Sequence, residues 1–102
     1  MMIYKITEKF PSNEMFGLIN QIRRCAVSVT SNIAEGFSRA SYKDKANFCS
    51  MSLGSLTELQ NQLIISRDVG YISGEIYAEL NQQSVSVHKL INGLIKSSKS
   101  YI

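Results

Sequence analysis

Few residues in this chain could do chemistry, and they do not converge. His88 is the sole histidine, and no Asp, Glu or Cys stands at ligand spacing on its own segment, so neither a metal centre nor a catalytic triad is built around it. Cys25 and Cys49 lack a CxxC spacing and a nearby histidine, and fall at apolar positions of neighbouring helical segments. There a thiol behaves as a small buried hydrophobe, and a disulfide is not expected in a reducing compartment. A metal-dependent carboxylate bundle would need paired Glu-x-x-His motifs, and the sequence contains none. The reading is therefore of a protein that is not an enzyme and uses no cofactor or metal.

What remains is charge. Residues 1–49 carry Lys5, Lys9, Arg23, Arg24, Arg39, Lys43 and Lys45 against Glu8, Glu14, Glu35 and Asp44, 7 minus 4 or +3, whereas residues 50–102 balance four against four. Arg39, Lys43 and Lys45 surround a short turn and project from one end of the molecule, where phosphates could collect counter-charge. With Arg23 they form the candidate nucleic-acid contacts. Arg23 and Arg24 are consecutive on a helix, about 100° apart, so one of them is expected to face inward or towards a subunit.

A second group of polar residues reads as structural. Folding the chain back about the turn near Arg39 brings Arg24 within about two turns of Glu58, and a bidentate arginine–carboxylate pair is expected there in preference to phosphate binding. Asn32 and Glu35 flank the apolar Ile33 and Ala34 and are expected to fasten the turn from Gly36 to Arg39. Ser50, Ser52, Gly54 and Ser55 should face Ala26, Ser28 and Ser31, with Gly36 and Gly54 marking points of close approach. Tyr4, Phe10, Phe16, Phe37, Phe48 and Tyr71 are scattered along the chain and read as core and interface anchors rather than base-stacking groups.

The elements that position these residues are helices. A short piece near residues 2–9 stops at Phe10-Pro11, since proline disfavours helix in the residue before it. From about 13 to 36, Leu18, Ile22, Ala26, Val29, Ile33 and Phe37 recur at spacings of 4, 4, 3, 4 and 4, with Gly36 as the terminator. Ser41 and Asp44 open a third helix, 42–69, with the stripe Cys49, Leu53, Leu56, Leu59 and Leu63, closed by Gly70. Ser73 caps a last helix, 74–99, carrying Ile76, Leu80, Val87, Ile91 and Leu94. Short connections between long helices make antiparallel neighbours, so the fold class is all-α, an antiparallel up-down four-helix bundle with a truncated first helix. That truncation leaves apolar stripe open along one end, which needs another copy of the chain or further amino-terminal residues to cover it. At 102 residues, 44% apolar and 19% charged, the chain is one domain. No apolar run approaches the roughly 20 residues needed to cross a bilayer, no signal pattern opens the chain, and the expected location is the cytoplasm.

The order of these residues resembles the four-helix-bundle family named for proteins encoded in intervening sequences of bacterial 23S ribosomal RNA genes, which is related to the accessory variability determinant of diversity-generating retroelements. The resemblance rests on Phe10-Pro11 with Glu14 and Gly17-Leu18; Gln21-Ile22-Arg23-Arg24; the run SVTSNIAEG from Ser28 to Gly36 with Arg39; Gly54-Ser55-Leu56 with Glu58-Leu59; and Gly70-Tyr71-Ile72-Ser73. Thr30 stands where the family usually has proline, which implies a milder kink. Family members usually begin with a further dozen or more residues of helix one. The resemblance implies a homo-oligomeric ring, with the pentamer as precedent, and in the retroelement branch a basic surface that engages nucleic acid and a reverse transcriptase. The alternative reading takes Val27 to Phe48 as a helix-turn-helix DNA-binding regulator, against which stands the length of both apolar stripes.

Overall fold

The computed structural model describes residues 2–11 and 17–102, and every regular element among them is a helix. α1 spans Met2–Thr7, α2 Leu18–Ser38, α3 Tyr42–Asp68 and α4 Gly74–Lys99. The predicted start of the second helix near Asn13, with Glu14 and Phe16, lies outside the described residues. α2 runs unbroken through Thr30, whose hydroxyl donates to the Val27 carbonyl at 3.0 Å.

α2 and α3 form a hairpin in constant antiparallel register. Gln62 Nε2 donates to Gln21 Oε1, the Cys25 thiol meets Glu58, Ser28 pairs with Ser55 and Ser52 donates to the Val29 carbonyl. Each partner pair stays about equally far from the turn, so the helices run side by side along their length. A helix-turn-helix, whose helices cross at a wide angle, has a different geometry. α3 and α4 keep register in the same way: Tyr42 stacks on Tyr101, the Gln60 amide donates to Ser84 and the Arg67 guanidinium lies over Tyr77.

Side-chain chemistry sets the ends. The Ser41 hydroxyl accepts from the Asp44 N–H at 3.0 Å and the Ser73 hydroxyl from the Ile76 N–H at 3.1 Å, each meeting one orphan donor of a first turn. Gly70 ends α3 at φ +85°, while the Tyr71 N–H reaches the Ser66 carbonyl and the Gly70 N–H the Arg67 carbonyl. This is the Schellman closure that favours glycine. Gly36 does not end α2. The helix continues to Ser38, and a β-carbon on Gly36 would lie 3.3 Å from Phe48 Cβ and 3.4 Å from the Lys45 carbonyl oxygen. The glycine is there because α3 passes so near.

The core runs through Ile19, Ile22, Leu56, Leu63, Leu80 and Ile91, with Ile22 and Ile91 fully enclosed. Ser52 and Ser66 are also fully buried, and each hydroxyl is satisfied by a backbone carbonyl. The expected stripe of small residues divides: Ser52 and Ser55 face α2, whereas Ser31, Ser50 and Gly54 are exposed. Nothing lies within 4 Å of a β-carbon built on Gly54, so the sequence expectation of close packing there is corrected: its face of α3 is open.

Two substitutions separate these glycines in urea unfolding. Gly54→Ala should stabilise the protein by up to about 1 kcal/mol, because alanine fits an exposed helix interior without strain. Gly36→Leu should destabilise by about 1–3 kcal/mol, because α2 and α3 must move apart to admit the side chain.

Candidate functional site: a basic end and an open apolar groove

The hairpin and the return of α4 bring two distant pieces of sequence to one end of the bundle. Arg39, Lys43 and Lys45 come from the α2–α3 turn, and Lys96 and Lys99 from the last turns of α4. Against these five cations stand Glu35 and Asp44, an excess of 5 minus 2, or 3, which equals the formal +3 of the whole chain.

The cations do different things. Lys45 Nζ donates to the carbonyls of Gly36 at 3.4 Å and Phe37 at 3.1 Å, so it closes the C-terminal end of α2, where the helix dipole favours a positive charge. Arg39 is shared between the Glu35 carboxylate at 3.1 Å, an exposed i,i+4 pair, and the Phe48 ring, 4.6 Å from its centroid. Such a surface pair contributes little stability. Lys43, Lys96 and Lys99 make no ion pair among the described residues, and all three are exposed.

Arg23 belongs to the other half of the molecule. Its Nε donates to Thr7 Oγ1 at 2.8 Å, a second nitrogen reaches the Tyr4 carbonyl at 3.4 Å, and the guanidinium lies 4.9 Å from the Tyr4 ring centroid. Arg23 is thus the anchor of α1 on α2, remote from Arg39. Thr7 is 2% exposed, and its hydroxyl also bonds back to the Ile3 and Tyr4 carbonyls.

The predicted polar network takes another form. Arg24 and Glu58 form no ion pair among the described residues; the Glu58 carboxylate accepts from the Cys25 thiol at 3.5 Å. Cys25 occupies the seam with α3, whereas Arg24, about 100° back round the helix, lies on the solvent side. Arg24 is exposed and lines a shallow depression with Tyr4, Asn20 and Val27. Asn32 does not fasten the turn: its amide donates to the Ser28 carbonyl at 2.9 Å and Ser28 Oγ at 3.1 Å, a full helical turn upstream. Glu35 does reach Arg39, and Lys45 supplies the turn's remaining support.

Burial pushes the thiols of Cys25 and Cys49 up from the ordinary cysteine range, helped at Cys25 by Glu58. Cys25 sits opposite Glu58 while Cys49 lies under Gly36, so along α3 the two sites are about 13 Å apart, too far for a disulfide. Among the described residues no group of three His, Cys, Asp or Glu side chains gathers to hold a metal ion.

The second feature is a groove. α3 packs against both α2 and α4, which do not pack on each other, and α1 covers only the part of the groove near Thr7. Where α1 begins, the groove opens into an apolar cavity of ≈ 210 Å³ whose lining includes Met2, Ile3, Val29, Leu59 and Val87. Leu90, one turn beyond Val87, is 59% exposed, and Phe37, one turn beyond Ile33 on the α2 stripe, is 65% exposed. Helical spacing carries the apolar strip from the cavity towards the basic end.

Antiparallel helices around α3, a short first helix pinned by an arginine, and an end rich in cations define a helical-bundle protein. The chain belongs to the 23S rRNA-intervening sequence protein family, whose family model matches residues 1–93. A solved structure from Bacteroides thetaiotaomicron VPI-5482, a protein of unknown function from the S23 ribosomal protein family, is 28% identical with a TM-score of 0.84, covering 92% of this chain and 88% of that one. Nothing matched among curated proteins. No described helix is long and apolar enough to cross a membrane.

Arg23→Met should leave the three long helices intact while the bonded amides of α1, residues 6–8, lose protection in hydrogen exchange, with a global cost of about 1 kcal/mol. For the thiols, a raised folded pKa means that keeping them neutral adds stability at pH below the unfolded thiol value, lost as pH rises through the folded one. Both should therefore resist an aromatic disulfide reagent at pH 8 and react at once in denaturant; fast labelling of the native protein would contradict their burial.

Proposed function

We propose that this protein is a non-enzymatic assembly component that associates with copies of itself and carries nucleic acid on its basic end. The observation that carries the reading is the apolar strip running out of the α2–α4 groove through Leu90 and Phe37, which the chain's own described helices leave uncovered. Contiguous apolar surface of this kind is covered in solution by another chain. A second copy supplies a matching helix face, and a ring of such copies, the pentamer being the form the family resemblance implies, would carry several basic ends at once. Repetition turns weak phosphate contacts at Lys43, Lys96 and Lys99 into appreciable avidity. In this role the protein serves RNA or DNA, and a nucleic-acid enzyme such as a reverse transcriptase is the associated partner implied by the resemblance.

Two measurements test the halves separately. Light scattering at tens of micromolar should give a mass of several chains, and Leu90→Glu, a change at an exposed position, should reduce it; a strict monomer would remove the assembly reading. A mobility shift with RNA or DNA should weaken steeply as salt rises, and charge reversal at Lys43, Lys96 and Lys99 together should abolish it without altering the oligomer.

A further inference from the structure

Two aromatic rings at the basic end have no part in the core. Tyr42, the first residue of α3, and Tyr101, just past the end of α4, stack with centroids 4.7 Å apart and planes at 22°. Tyr101 is 67% and Tyr42 44% exposed, so the stack offers open ring surface to solvent. Lys43 adjoins one ring and Lys99 stands two residues before the other, with Lys96 one turn further back, and none of the three is neutralised by a carboxylate among the described residues.

We propose that this end is a stacking platform for unpaired bases of a single-stranded nucleic acid, a specification that rests on the nucleic-acid reading above. The chemistry is complementary at both levels: an exposed phenol ring takes the face of a base, and lysines beside it take the flanking phosphates. A duplex interior cannot use the rings, because its base faces are already stacked on one another. A second copy docking here head to head would set Lys43, Lys96 and Lys99 against their own counterparts, so the like charge of this end disfavours the assembly contact that suits the groove. Its charge excess and its aromatic surface coincide only after folding, since Tyr42 and Tyr101 lie at opposite ends of the α3–α4 hairpin.

The test compares an oligothymidine of about 20 nucleotides with a duplex of the same length by fluorescence anisotropy at low salt. The double variant Tyr42→Leu and Tyr101→Leu should weaken single-strand binding about 5- to 100-fold and leave duplex binding within about twofold, whereas Tyr101→Phe, which keeps the ring, should bind like the wild type. In the unmutated protein, Tyr42 and Tyr101 ring protons should shift in NMR on adding oligothymidine but not the duplex, a readout independent of variant folding. If the wild type binds both nucleic acids and neither the double variant nor the ring shifts distinguish them, stacking is overturned while the nucleic-acid reading stands. If the wild type binds neither, both fall together.

Discussion

The structure depends on α3 having to satisfy two neighbours at once. It buries Ala46, Cys49, Ser52, Leu56, Leu59, Gln62, Leu63 and Ser66, positions spread wider around its circumference than a single apolar stripe. A helix with one such stripe can pair on one side; a helix buried on two sides becomes the axis of the molecule. Close approach on the α2 side is made possible by small residues at the contact: Gly36 lies under Phe48, Ser55 opposes Ser28, and Ser52 reaches the Val29 carbonyl. Serine at such a place adds little volume and brings a donor that a buried backbone acceptor can use.

From that axis the two unlike ends follow. With α2 and α4 both packed on α3 and flanking a shared groove, the space between them has room for a fourth helix. α1 supplies two turns of it, pinned through Arg23 and Thr7. At the covered end the rings of Phe10 and Tyr71 pack 5.1 Å apart and Ile72 is buried. Towards the other, the same stripes continue past the last cover: Leu90 stands in solvent beside the cavity and Phe37 stands in solvent next to the cations. Apolar surface and charge are thus adjacent but separate: the strip runs along the groove, while the lysines crown the tip. An oligomer built through the strip would leave the tip accessible.

Cation chemistry explains why a list of basic residues was an uneven guide. Lys45 is directed by the unsatisfied carbonyls at the end of α2, a local demand that exists in any helix terminating there. Arg39 spreads its plane over Phe48, as a guanidinium does over an aromatic ring. Both are already engaged, and Lys43 is the member of the predicted trio left without a partner among the described residues. Lys96 and Lys99 join it from the far terminus. Residues 50–102 balance their charge as a whole, and only the direction of α4 places these two where no carboxylate of that half follows.

The sequence by itself determined the helices, their antiparallel order and most of their ends. Spacing of Leu18, Ile22, Ala26 and Val29, capping by Ser41 and Ser73 and the left-handed requirement at Gly70 are local, so they can be read along the chain. The run of family-like residues was legible for the same reason. The tertiary structure decided which face each residue meets. Arg23 turned out to bind α1 while Arg24 faces solvent, a difference of about 100° that no composition carries. Gly36 became a contact and Gly54 an open position, although both are glycines in helices, because a helix offers its neighbour only one side. The pairing of Tyr42 with Tyr101 joins residues at opposite ends of a hairpin, and such pairs exist only once the axis has been built.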